Sequence, residues 1–284
     1  MGATGQSGTV NQPPTRTPLP IVSLGPEALF RIHDLTDDGA VTTGSMETGP
    51  WMAGTDGQVC AGSLGVLVDN ALGYAVISER PAGHWSVSAE VSIELCAPVP
   101  MDGSGLRAEA SLVQADRSGG LATGRVLDAE GRVVALCSQR GRFVDPDQSE
   151  LATSGWDAAG DPLMTSRLLG TPALIGARVE LTPDGAALHL TASPRLANPL
   201  GNLHGGISLC ASEIVGLAAI NRAGSSLSTA SVHVVYARPM PLGTDVTFRA
   251  TVTHQGRSLA VAQVISTATA GKPCTIATVT AHAT

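Results

Sequence analysis

The chain states itself twice. GQVCAGSLGVLVDNALGYA (57–75) lies over GNLHGGISLCASEIVGLAA (201–219) without a gap, Gly57 meeting Gly201, Gly62 meeting Gly206 and Asp69 meeting Glu213. Further on, SVSAEVSIELCAPVPMDG (86–103) lies over LSTASVHVVYARPMPLG (227–243), with Pro98 on Pro239. The runs LRAEASLVQADRSGGLATGRV and VTFRATVTHQGRSLAVAQV continue the parallel. A Gly-containing turn follows each, then a last strand-like run, 132–144 and 272–282. Self-similarity on this scale restricts the fold to two copies of one supersecondary unit.

Each unit reads helix first, then strands. Segments 62–76 and 206–220 are apolar nearly all round, the mark of a helix wrapped by other structure. Segment 86–95 alternates, with Val87, Ala89, Val91, Ile93 and Leu95 on one face and Ser and Glu on the other. Leu106, Ala108, Ala110 and Leu112 repeat that period of two, as do Val246, Phe248, Ala250 and Val252. Short turns between these strands predict that they are antiparallel neighbours. The expected architecture is α+β, a central helix gripped by a curved antiparallel sheet, present twice. The units span 21–145 and 166–284, and PDQSELATSGWDAAGDP within the 146–165 connection breaks the alternation.

Bulk properties exclude several classes of partner. Net charge is −7 with no basic run, which gives no support for nucleic-acid binding. No apolar run reaches membrane-spanning length, so no membrane partner is expected. Residues 1–20, rich in Gly, Thr and Pro, lack a signal-peptide core and read as a disordered leader. Five cysteines at 60, 96, 137, 210 and 274 form no CxxC or Cys/His pairing, which argues against a disulfide framework or a metal site. A cytoplasmic location is the resulting expectation.

One stretch carries chemistry. NPLGNLHGGISLCASE (198–213) sets His-Gly-Gly at the mouth of an apolar helix and an acid nine residues after the histidine. Its spacing resembles the hotdog fold, specifically the PaaI-like acyl-CoA thioesterase family, whose pattern is Asn, Gly, His-Gly-Gly, then that acid. The pattern appears as Asn198, Gly201, His204-Gly205-Gly206 and Glu213. The extended run TASVHVVYARPMPLG and the later HQGRSLA (254–260) resemble a second segment of the family, and the likeness covers 40–144 and 170–282. The N-terminal copy departs from it: Gly54 stands at the place of Asn198, Cys60 at that of His204 and Ala61 at that of Gly205, while Asp69 keeps the acid.

The resemblance implies a double hotdog in which each site takes its His-Gly-Gly loop from one half and its acid from the other. Asn198, His204 and Gly205 would then face Asp69, forming a complete site. Gly54, Cys60 and Ala61 would face Glu213, forming a depleted one. The Gly205 N–H, at a helix N-terminus, would hold the oxyanion of a thioester under attack, worth about 2.7–4 kcal/mol in comparable oxyanion holes. Asp69 would act as general base for water or as a nucleophile. Asn198 would hold the water or the carbonyl, and His204 would shape the loop. Ser88 would orient the water, with Thr229 its counterpart in the other half. Gly206 and Arg257 would contact CoA, which enters as part of the substrate, with no separate cofactor and no metal. Two such chains are expected to pair as a homodimer through their outer sheet faces.

Taken singly, the same residues have structural readings. Asp69 and Glu213 also suit capped buried carboxylates, Gly205-Gly206 a tight turn, and Arg257 a solvated turn residue. Three functions therefore stay open at the level of sequence. They are acyl-CoA thioester hydrolysis, a hotdog hydratase or dehydratase, and non-catalytic acyl-CoA binding. The first ranks above the second because the hydratase pattern of Asp followed closely by His is absent from the chain.

Overall fold

The computed structural model describes residues 17–18, 25–145, 170–269 and 271–283. The 146–165 connection and, apart from Thr17–Pro18, the expected leader lie outside them. The first unit runs β1 (Thr17–Pro18), α1 (Pro26–Leu29), β2 (Ile32–Asp37), β3 (Thr42–Glu47), α2 (Gly65–Ile77), β4 (Trp85–Leu95), β5 (Gly105–Asp116), β6 (Gly119–Leu127) and β7 (Val133–Val144). The second repeats it from α3 onward: α3 (Thr171–Leu174), β8 (Arg178–Thr182), β9 (Gly185–Thr191), α4 (Gly205–Asn221), β10 (Ser228–Tyr236), β11 (Asp245–Gln255), β12 (Leu259–Thr267) and β13 (Pro273–His282). All thirteen strands join one antiparallel sheet in the order β1-β2-β3-β5-β6-β7-β4-β10-β13-β12-β11-β9-β8. The tandem hotdog expected from the repeat is what the chain forms. Part of the stretch read as a disordered leader is ordered, because the edge of β2 offers Asp37 and Thr36 as pairing partners for Thr17 and Pro18.

The halves meet at the centre of the sheet, where β4 pairs with β10 and Val91 and Ile93 oppose Val234 and Val232. The two long helices meet each other across the junction of the halves. A methyl carbon added to Gly62 would lie 2.7 Å from the Cys210 Cα, and one on Gly65 or Gly206 would lie 2.5 Å from the other's carbonyl oxygen. Glycine at these positions lets two backbones touch. Neither helix is amphipathic: every residue from Gly65 to Leu72 and from Gly206 to Gly216 is buried, since sheet lies on one side and the partner helix on the other.

Strand order corrects one expectation. β4 and β5 are not neighbours; β4 pairs with β7 and β10, and β5 with β3 and β6. The connection between them carries Pro98 and Pro100, which suit no tight hairpin. Its first residues, Cys96 and Ala97, donate their N–H groups to the Val134 carbonyl, so the chain leaves along the end of β7 and crosses the unit. Alternation also breaks once in each half. β4 slips register on β7 between Ser88 and Glu90, and β10 slips on β13 between Thr229 and Ser231. These bulges turn Ser88 and Thr229 from the outer face toward the helices.

Candidate active site

Asp69 sits mid-helix in α2 and meets the first turn of α4 from the other half. His204 is the N-cap of α4: its backbone is extended (φ −60°, ψ 141°) and its Nδ1 accepts from the Gly206 N–H at 3.0 Å. The same N–H donates to Asp69 Oδ2 at 2.9 Å, so one helix-terminal amide is shared by imidazole and carboxylate. On the far side the Ser88 hydroxyl donates to Asp69 Oδ1 at 2.6 Å, and the Gln139 side-chain N–H donates to Ser88 Oγ at 3.0 Å. Both oxygens of a carboxylate only 8 % exposed are therefore satisfied. Gly205 has no room for a side chain, since a Cβ there would lie 2.6 Å from Asp69 Oδ2. Its N–H, first of the helix, has no acceptor among the described residues.

A cavity of about 440 Å³ opens onto this junction, lined among others by Glu27, Asp69, Ser88, Asn198, His204 and Gly205. Asn198 Oδ1 accepts from the N–H groups of Leu200 and Asn202, at 3.0 and 3.1 Å, and so braces the loop before the helix. Its amide N–H₂ is the end left over by these bonds, a donor of the kind that suits a carbonyl oxygen. The Tyr236 hydroxyl donates to the Gly205 carbonyl at 2.8 Å; burial, with the nearby Asp69 charge, pushes this phenol well above its ordinary value. Arg238 is exposed and is the sole arginine or lysine among the lining residues.

The mirror-image junction is closed. Glu213 is 1 % exposed and accepts from Thr229 Oγ1 at 2.6 Å and Cys60 Sγ at 3.0 Å. Backbone N–H groups of Ala61 and Gly62 also reach it, yet burial prevails and raises its pKa. Hydrogen bonding to Cys210, burial and the Glu213 charge raise the Cys60 thiol well above its ordinary value, the opposite of what a nucleophilic cysteine needs. Neither Cys60 nor Glu213 lines the cavity. Ile214 stands where α2 has Asn70, Leu95 where β10 has Tyr236, and Ala97 where the other loop has Arg238.

The structure thus brings together Asp69, Ser88, Asn198, His204 and Gly205, and separately Glu213, Cys60, Ala61 and Thr229. Two residues expected at the CoA subsite lie elsewhere. Gly206 does not line the cavity, because its close packing on Gly65 turns it toward α2. Arg257 is exposed on the β11–β12 turn, outside the cavity. Leu259 beside it opposes His282, which opposes Ser228, so Arg257 belongs to the Glu213 end of the sheet. Its repeat equivalent at the Asp69 end is Arg117. Glu27, Asn70, Gln139, Tyr236 and Arg238 escaped the sequence reading. Glu27 had a signal, for GPEALF (25–30) repeats as GTPALI (170–175); Gln139 had none, since its place in β7 shows only through the pairing of sheet strands. Among the described residues no group of three or more His, Cys, Asp or Glu side chains is placed to hold a metal ion, and no helix is long and apolar enough to cross a membrane.

A buried carboxylate from one unit facing the His204-capped helix start of the other makes the candidate site composite, within a tandem hotdog fold. The thioesterase superfamily model matches residues 200–274, and the model of the acyl-CoA thioesterase C-terminal domain matches residues 24–143. A thioesterase model thus matches within each hotdog unit, and the chain is similar to the thioesterase superfamily in tandem form. Solved structures agree on the fold. The tesB protein of Mycobacterium avium subs paratuberculosis is similar with a TM-score of 0.62 and 10% identity, over 90% of this chain and 96% of that one. An acyl-ACP thioesterase from Bacteroides thetaiotaomicron has a TM-score of 0.56 and 14% identity, over 85% of this chain and 98% of that one. The 12:0-ACP thioesterase from Umbellularia californica has a TM-score of 0.58 and 12% identity, over 85% and 94%. A search of curated proteins finds no match.

Proposed function

We propose that this thioesterase hydrolyses acyl-CoA to free acid and CoA at the Asp69 junction, and that the Glu213 junction takes no part. One observation carries the reading: the Asp69 carboxylate and the unbonded Gly205 N–H border one cavity, whereas Glu213 is sealed. The thioester carbonyl carbon sits between them, its oxygen accepting from the Gly205 N–H and the Asn198 amide. Asp69 takes a proton from a water held by Ser88, and the water oxygen bonds to the carbonyl carbon as the carbonyl π pair moves onto oxygen. Collapse of that oxyanion breaks the C–S bond; the thiolate leaves with its electron pair and receives a proton through Asp69. Attack by Asp69 itself, forming an anhydride that water then opens, uses the same atoms. Isotope from ¹⁸O water entering Asp69 in a single turnover marks the anhydride route, with water opening the anhydride at the Asp69 carbonyl.

Arg238 at the cavity mouth suits a phosphate of CoA better than the turn residue Arg257 does. Free thiol released from a panel of acyl-CoAs tests the whole reading. Loss with Asp69→Ala and retention with Glu213→Ala is expected; the reverse pattern would transfer the reaction to the other junction, and binding without release would make the chain an acyl-CoA carrier. Pairing of two chains through the outer sheet face, where Leu136 and Ile276 are exposed, is a separate proposal. Light scattering at twice the chain mass supports it, and a monomer mass refutes it.

A further inference from the structure

Glu27 is a second buried carboxylate at the Asp69 junction, and the hydrolysis described above gives it no role. It is 5 % exposed, sits on α1, and lines the cavity. α1 packs against the turn Pro194–Leu196 of the other half, just ahead of the loop that carries Asn198 and His204. Glu27 Oε1 accepts from Asn70 Nδ2 at 3.2 Å and lies 3.7 Å from His204 Nε2, while Oε2 is buried without a partner among the described residues. The opposite ring nitrogen, Nδ1, lies 3.2 Å from Asp69 Oδ2. His204 is therefore flanked by two carboxylates, each from the other half.

The proton on this imidazole can be located from its neighbours. The Gly206 N–H points at Nδ1, so Nδ1 must present a lone pair, and a neutral ring then carries its hydrogen on Nε2. Nε2 faces Glu27. The repeat supplies an independent control: in the closed junction Pro172 stands at the place of Glu27 and Cys60 at the place of His204, so acid and imidazole are present together or absent together.

We propose that Glu27 is a positioning residue for the thioesterase reaction, acting through His204. It holds the ring hydrogen on Nε2 and so keeps Nδ1 bare to accept the Gly206 N–H. That amide is thereby shared between His204 and Asp69, which pins the carboxylate against the helix start. The capped first turn also fixes where the Gly205 N–H points. This rests on the proposed hydrolysis at Asp69.

The test uses the full chain with [¹⁵N]histidine, the His204 signals being those lost in His204→Ala, together with thiol release from hexanoyl-CoA. The ring nitrogens of the parent and of Glu27→Gln, which keeps an acceptor oxygen, should report the Nε2–H form. Glu27→Leu should report a mixture of tautomers. By the usual size of such orienting contacts, Glu27→Leu should lower kcat about ten- to a hundredfold. KM should stay within about twofold, and Glu27→Gln should keep most of the parent rate. On a His204→Ala background Glu27→Leu should add nothing. An Nδ1–H form in the parent overturns the proposal. So does an equal loss from Glu27→Leu on both backgrounds, or a Gln variant as slow as Leu. The nitrogen shifts are read on resting protein, so they decide the Glu27–His204 relation even where the parent releases no thiol from any thioester.

Discussion

The Ser88 hydroxyl reaches Asp69 Oδ1 at 2.6 Å only because β4 bulges at Ala89. Without the extra residue, Ser88 would share the outer face with Ser92 and Glu94. The matching bulge at Ala230 brings Thr229 to Glu213, so both carboxylates are served by the same backbone device.

Removing the acceptor of the water proton should abolish turnover while leaving the fold. Asp69→Asn keeps the shape of the side chain, and kcat should fall by about 10²–10⁴-fold, as for loss of a general base. Ser88→Ala removes one hydrogen bond to a charged group, and about ten- to a hundredfold in kcat is expected. Steady-state thiol release checks both, with circular dichroism confirming folding.

Gly205→Ala places a methyl carbon 2.6 Å from the present position of Asp69 Oδ2. The carboxylate must move or the helix start must shift. Displacement on that scale should lower kcat by about 10²-fold. A crystal structure of the variant should show Asp69 turned from the Gly206 N–H; unchanged kcat would mean that this contact is not used in turnover.

Glu213→Gln should change stability with pH and leave thiol release alone. Burial raises the Glu213 pKa above its ordinary value of 4.5, so the folded state holds this proton more tightly than the unfolded chain does. The stabilisation that follows is complete below that ordinary value and is lost as pH climbs through the raised folded pKa. Glutamine cannot ionise. The Tm of the variant minus that of the parent should therefore grow as pH rises from about 4.5, in thermal melts across a pH series; a constant difference would show that burial costs the carboxylate nothing.

Arg238→Ala should raise KM for acyl-CoA without changing kcat, and should leave the corresponding pantetheine thioester, which lacks the nucleotide phosphates, untouched. The difference should shrink with added salt, as for an exposed ion pair. Equal effects on both substrates would remove Arg238 from nucleotide recognition.

Much of this was legible in one sequence because a repeat supplies its own comparison. The helices read as 62–76 and 206–220 run from Gly65 to Ile77 and from Gly205 to Asn221, with a 3₁₀ turn, Ala61–Leu64, taking the place of the first helical turn in the N-terminal half. The meeting of Asp69 with the His204 loop was implied by the resemblance to single-hotdog relatives, whose sites form between two subunits. What escaped depended on distance in the chain. Glu27 is 42 residues before Asp69 and 177 before His204, and only the packing of α1 on α2 and on the Pro194–Leu196 turn of the other half makes them neighbours. Gln139 reaches Ser88 through strand pairing, and the order of β4 and β5 is decided by a proline-bearing crossover rather than by alternation. Periodicity describes one strand at a time and is silent on which strands touch.

The seam between β4 and β10 has a consequence for inheritance. When two identical subunits build such a pair of junctions, any substitution is written into both. Once the subunits are one polypeptide, Cys60 and His204 occupy separate codons, and one junction is free to harden into scaffold while its twin keeps an open cavity.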